Sequence, residues 1–315
     1  MLRLLAFLST LLFPAANIAQ DTNRTILIAR DAQTLELNIS THYSQASTEQ
    51  IKQWMEHISG ALLNVYGKWP RDRWRVVVNP ASGASSDPIP WAQVNRDTID
   101  NVRFYTITEP TAAQLIENWT GYHELAHLLI PYRGWGDKWF SEGLASYYQC
   151  LLQARSGVIS EQQMWQKLYD GFMRAKANSQ LDGSALHTVS STLRENKAYM
   201  RVYWSGAWYF LSADLRLRQQ SGGEGSLDKA LALLNRCCAD TPLSVPDMVE
   251  RLDSTNELVL FAPLYQQVRN TTSMPEFDPL LASLGIDVID GNVTLQDAGP
   301  GAQLRRAFLQ SAVTL

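Results

Sequence analysis

His123-Glu124-Leu125-Ala126-His127 is the stretch on which the fold turns. On a helix, positions i and i+4 share one face, so the two imidazoles can reach a single metal ion. Glu124 stands about 100° further round, placed to reach a water at the metal without binding the metal itself. Leu125 and Ala126 can face inward, which lets such a helix be buried. The chain has five histidines in all, and a pair at this spacing around a glutamate is poorly explained by chance. Upstream, Thr111 can cap a helix that runs through Leu115, Ile116 and Trp119 into the HELAH stretch, until Pro131 stops it.

A catalytic zinc commonly takes three protein ligands and leaves its fourth position to water. One helix cannot supply the third. Fifteen positions beyond His127 lies Glu142, within Trp139-Phe140-Ser141-Glu142-Gly143-Leu144-Ala145-Ser146-Tyr147-Tyr148. Pro131, Gly134 and Gly136 turn the chain back, so the helix over residues 139–155 is expected to run antiparallel and carry Glu142 to the metal. Gly143 permits a close helix crossing, and Ala145 keeps that seam thin. A surface glutamate on an amphipathic helix is the plainer reading of Glu142, outweighed by the motif upstream.

With these blocks the chain resembles the gluzincin metallopeptidases, especially the aminopeptidase N and glycyl aminopeptidase families. Those families carry HExxH and then a Trp-x-x-Glu-Gly block. A later Tyr-x-x-Gly opens a helix, and here Tyr203-Trp204-Ser205-Gly206 is followed by AWYFLSADLRLRQQSGGEGSLDKAL. The similarity spans roughly residues 110–290. It implies an α+β, thermolysin-like metallopeptidase catalytic domain with Zn2+ as cofactor and a peptide or protein as substrate. It also implies Glu124 as general base and Tyr203, with Tyr199 as its rival, stabilising the tetrahedral intermediate. The chain departs from the pattern in three ways. Fourteen residues separate His127 from Glu142, fewer than is usual. No Gly-x-x-Glu-Asn/His segment, the usual anchor for a substrate amine, precedes His123. The stretch before the motif leaves no room for the families' large N-terminal β-domain. A zinc-binding protein of the same fold without turnover, and a zinc hydrolase of a non-peptide substrate, are the alternatives.

Outward from the motif, residues 25–39 alternate like a strand or hairpin, and residues 47–66 recur at helical spacing, with Ser47 or Thr48 as cap. Residues 74–79 read as a buried strand and 80–90 as a loop. Residues 102–107 read as a strand, taken as an edge beside the site. Helices are expected over 160–177, 197–220, 226–238, 245–252 and 256–268, then strands at 286–289 and 293–295 and a short helix at 303–309. The expected organisation is an export signal over 1–20 and a small mixed α/β lobe over 21–130. A helical lobe over 131–276 and a mixed tail over 277–315 follow.

The first twenty residues, with Arg3, an apolar run over 4–13 and small residues to Ala19, read as a secretory signal, too short to span a bilayer. No later apolar stretch is long enough to span one. A net charge of −4 gives no basic field for nucleic acid. Three cysteines, Cys150, Cys237 and Cys238, cannot all pair within the chain. Adjacent cysteines rarely bond to each other, so the expectation is helix-packing thiols, with a link from Cys150 to one of the pair as the alternative. Five Asn-x-Ser/Thr triplets, at Asn23, Asn38, Asn118, Asn270 and Asn292, read as chance. His187 and Arg201 are weaker candidates for substrate contact, and His42 and His57 are read as structural.

Overall fold

The computed structural model describes residues 23–96, 98–132, 134 and 136–310. The expected export signal lies outside them. β1 (Asn23–Arg30) and β2 (Gln33–Ser40) form a hairpin, and α1 (Gln45–Ala61) and α2 (Leu63–Tyr66) lead to β3 (Arg73–Pro80). β4 (Trp91–Arg96) and β5 (Asp100–Thr106) complete a five-stranded sheet of order β1-β2-β3-β5-β4. Its three central strands are parallel, with an antiparallel strand at each edge.

The register explains why one face is dry. Leu37, Val76 and Val102 lie in one row across the sheet, and Ile39, Val78 and Phe104 in the next. All six are fully buried. Period-2 alternation sends these side chains to a single face, where α1 covers them. Trp54 of α1 meets Phe104 edge to face, with ring centres 4.9 Å apart.

The strand expected at 102–107 is β5, which is interior to the sheet. The edge belongs to β4, which the sequence reading passed over. Trp91 is exposed and the rest of β4 is half-buried throughout, without the alternation or the run of β-branched residues that marks a strand. Ser44, not Ser47 or Thr48, caps α1 by accepting the Ser47 N–H, because Ser47 turns inward to donate to the Thr108 carbonyl.

The helices follow as α3 (Ala112–Glu117), α4 (Trp119–Ala126) and a 3-10 turn over His127–Leu129, then α5 (Lys138–Arg155), α6 (Glu161–Ala177) and α7 (Leu186–Ser191). Beyond them lie α8 (Tyr199–Gln220), α9 (Leu227–Cys238), α10 (Val245–Thr255) and α11 (Phe261–Arg269). α12 (Asp278–Ser283), the hairpin β6 (Ile286–Ile289) and β7 (Asn292–Leu295), and α13 (Pro300–Ala307) close the chain. The helix expected from 256 begins only at Phe261. The Asp253 carboxylate accepts the backbone N–H groups of Leu260, Phe261 and Ala262, and so sets the start of α11 there. Cys237 and Cys238 are bonded to each other, contrary to the free thiols expected there, whereas Cys150 is a buried free thiol on α5, as expected of a helix-packing cysteine, and has no link to either. No helix among the described residues is long and apolar enough to cross a membrane.

α5 and α8 are the buried centre of the α+β fold. They cross where Gly143 meets Gly206: a Cβ on Gly143 would be driven into the Gly206 backbone, and one on Gly206 into the Trp139 carbonyl oxygen. Tyr147 donates to Asp214 at 2.7 Å and Tyr148 to Asp228 at 2.7 Å, so α5 is also tied to α8 and α9 by buried polar bonds. Both carboxylates are paired with arginines, Asp214 with Arg218 and Asp228 with Arg155, which removes the penalty of burying them alone. Gly206→Ala is expected to cost at least about 2 kcal/mol in urea unfolding, because neither backbone can retreat. Gly60→Ala, with open space around its Cβ, should be neutral or stabilise by up to about 1 kcal/mol.

Candidate metal centre

α3 and α4 are two helices, not the single one expected through Trp119. Asn118 is extended (φ −73°, ψ 130°), ends α3 and restarts the chain as the cap of α4, its side chain accepting the Thr120 N–H at 2.8 Å. Its amide nitrogen donates to Asp87, anchoring the break to the 80–90 loop. α4 therefore takes a direction of its own and sinks into the core: Tyr122, Leu125 and Ala126 are fully buried.

His123 and His127 remain one turn apart, since the His127 N–H bonds to the His123 carbonyl. At the far end, the Arg96 guanidinium donates to the His127 and Ile130 carbonyls. A cation there suits the negative end of the helix. The same side chain pairs with Asp100, which Arg71 also holds, so β4 and the close of α4 are locked together. Burial works against the Asp100 charge, yet the two arginines outweigh it and keep its carboxyl below the usual range.

α5 brings the third group. Glu142 Oε2 lies 3.2 Å from His123 Nε2 and 3.7 Å from His127 Nε2. One nitrogen from each imidazole and one Glu142 oxygen lie within 4.8 Å of one another. Tetrahedral donors about 2 Å from a shared centre stand roughly 3.4 Å apart, so the three atoms fit one zinc ion. The other ring nitrogens are held by α5 as well: His123 Nδ1 by Gln149 Oε1 at 2.8 Å, and His127 Nδ1 by Ser141 Oγ at 3.0 Å. Only a protonated Nδ1 can bond to the Gln149 carbonyl oxygen, which leaves the His123 Nε2 lone pair for a cation. Gln149 and Ser141 were not recognised in the sequence. Gln149, seven residues after Glu142, sits two turns along the same face, and that periodicity was the available signal.

Electrostatics separate the four groups. Burial takes His127 down to about 3 against the pull of Glu142, so its ring is neutral. Burial also opposes charge on Glu142, but His127, His123 and the Tyr203 hydroxyl prevail and hold its carboxyl below the usual range. For His123 the effect of burial is overcome by Glu142 and Glu124, and the ring is raised above its ordinary value. Burial, with Glu142 nearby, pushes Glu124 up to about 7 although His123 resists. No hydrogen bond within the described residues occupies the Glu124 carboxylate.

Tyr203 of α8 stacks on the His123 ring, with ring centres 5.9 Å apart and planes 16° from parallel, and its hydroxyl acts on the Glu142 carboxylate. Burial, then Glu142, raises that hydroxyl well above its ordinary range, so it stays protonated as a donor. Tyr199 stands outside, exposed and edge-on to Tyr203. Arg201 is neither solvated nor available to substrate. It is fully buried and donates to Asp182 and to the Ser184 and Thr271 carbonyls. His187 lies on α7, away from the pair, and His42 bonds to Ser40. Beside His123 and Tyr203 opens a cavity of about 440 Å³.

Residues 135–209, which carry Glu142, Tyr203 and Gly206, match the M61 glycyl aminopeptidase family model. The chain resembles a gluzincin aminopeptidase. An aminopeptidase N family protein from Idiomarina loihiensis superposes with TM-score 0.63 at 17% identity, over 85% of this chain and 50% of that one. The M1 zinc metallopeptidase of Deinococcus radiodurans superposes with TM-score 0.53 at 18% identity, over 81% of this chain and 52% of that one. A variant of the Deinococcus enzyme bound to a Tyr-Ser-Ala substrate gives the same score and identity, over 81% of this chain and 53% of its own. The fold is the one these solved structures share, and the chain spans about half the length of each. No curated protein matches it in sequence.

Loss of the cap that restarts α4 should loosen the site. Asn118→Ala is expected to cost about 1 kcal/mol in urea unfolding, and Asn118→Ser, which can still accept the Thr120 N–H, to recover most of it.

Proposed function

We propose that the chain is a zinc-dependent peptidase, with the metal held by His123, His127 and Glu142. The observation that carries the reading is the convergence of two imidazole nitrogens and one carboxylate oxygen within 4.8 Å, beside the open carboxylate of Glu124. Zinc at that point would supply Lewis-acid polarisation of a carbonyl and make water more acidic. Glu124, raised to about 7 by burial, takes the proton from the attacking water and returns it to the leaving amine. Tyr203 donates its hydroxyl hydrogen to the oxyanion as the carbonyl becomes tetrahedral. Gln149 and Ser141 keep both rings turned to present Nε2. The Tyr-Ser-Ala bound to the Deinococcus relative supports peptides as the substrate class. Residues 1–20 support export of the mature protein.

Metal analysis and a peptide digest test this together. The purified chain should carry one zinc and cleave peptides until a chelator removes it. Glu124→Gln should retain the zinc while kcat falls by about 10²–10⁴. Glu142→Ala should fail to hold zinc through dialysis, and Tyr203→Phe should keep the metal and lose about a hundredfold in kcat. Cleavage by Glu124→Gln at the parental rate would overturn the base assignment. Bound zinc with no cleavage of any peptide would favour a binding protein or a hydrolase of another substrate.

A further inference from the structure

The cavity beside the metal centre shares His123 and Tyr203 with it, so the two adjoin. Its walls are apolar: the Trp119 and Trp204 indoles and the Met200 side chain. Trp204 is held there because Gly171 of α6 leaves room for its ring, where a Cβ would strike the indole. α5 adds the uncharged Ser146, Gln149 and Gln153, and the charged groups come from one face of α6, where Lys167, Asp170 and Arg174 recur at helical spacing and all line the cavity.

The charges on that face do not balance. Two are cations and one is a carboxylate, and the Asp170 carboxylate already accepts from Gln166 at 2.9 Å. Arg174 lies over the Trp204 ring at 5.2 Å, which keeps it at the cavity. Neither Lys167 nor Arg174 has an ion-pair partner among the described residues. A basic side chain entering here would meet two like charges. A neutral one would use the apolar walls and leave both cations unpaired. A carboxylate uses the walls and the cations together.

We propose that this cavity is a substrate-selecting subsite and that it takes a residue with a carboxylate beside the scissile bond, either an acidic side chain or a free C-terminus. The inference rests on the peptidase reading and names the substrate class for it.

Matched peptides provide the test. With the zinc-loaded protein, Glu is compared with Gln on each side of the cleaved bond, and a free C-terminal acid with its amide one residue beyond it. One of these pairs should favour the carboxylate by about tenfold in kcat/KM, mainly through KM, and which pair does so tells side chain from C-terminus. The preference should shrink as salt is raised. In Lys167→Met/Arg174→Met the ratio should collapse toward one, and in Lys167→Glu/Arg174→Glu it should turn toward Lys and Arg. Calorimetry on Glu124→Gln reads binding of the same peptides without turnover. Tighter binding of the carboxylate member would uphold the subsite even if no peptide were cleaved, in which case only the peptidase reading would fall. Equal binding and cleavage within every pair, or a preference unmoved in the double Met variant, would overturn the inference.

Discussion

α5 and α8 cross at a point where neither helix has a side chain. Gly143 and Gly206 bring the two backbones so close that one added carbon on either would strike the other helix. The geometry of the metal centre depends on this contact. Glu142 is the neighbour of Gly143 in sequence, and Tyr203 lies one turn before Gly206 on α8. The crossing therefore sets how Tyr203 stands to the carboxylate that faces the imidazoles. The buried bonds of Tyr147 to Asp214 and of Tyr148 to Asp228 continue the seam beyond the site and fix its register. A helix pair set further apart by side chains would carry the same functional residues without bringing them together.

Around that crossing, α5 acts on both imidazoles at once. It presents Glu142 to their Nε2 atoms and holds the Nδ1 atoms from behind through Gln149 and Ser141. A single rigid element thus sets the place of the carboxylate, the tautomer and the ring angle. The low polarity of the surroundings drives the carboxylates apart: Glu142, against two rings and a hydroxyl, stays ionised, while Glu124, with fewer favourable partners, is raised to about 7. One acidic group is suited to bind a cation and the other to exchange protons near neutral pH, from the same residue type in different settings.

Much of this was legible along the chain because it is local. The i, i+4 histidines, the glutamate between them and the glycine after Glu142 are all short-range patterns: the structure has His123 and Glu124 on α4, Gly143 on α5, and His127 where α4 gives way to the 3-10 turn. Where the expectation failed, a longer-range contact had intervened. Arg201 reads along the chain as a candidate for substrate contact, but the 182–184 and 271 segments fold over it. β4 lacks strand-like composition and is a strand because β5 pairs with it. The helix leading to HELAH looked continuous, yet Asn118 breaks it, with Asp87 fixing the break from a distant loop.

The sequence by itself determined the helical turn that sets His123 and His127 on one face with Glu124 between them, because helical periodicity acts over a few positions. Only the tertiary structure decided that Glu142 and Tyr203 reach the same imidazoles, that Gln149 and Ser141 orient them, and that Lys167 and Arg174 line the adjoining cavity. Those juxtapositions arise from helix crossings between segments far apart in the chain, where close approach and burial, not local propensity, select the arrangement.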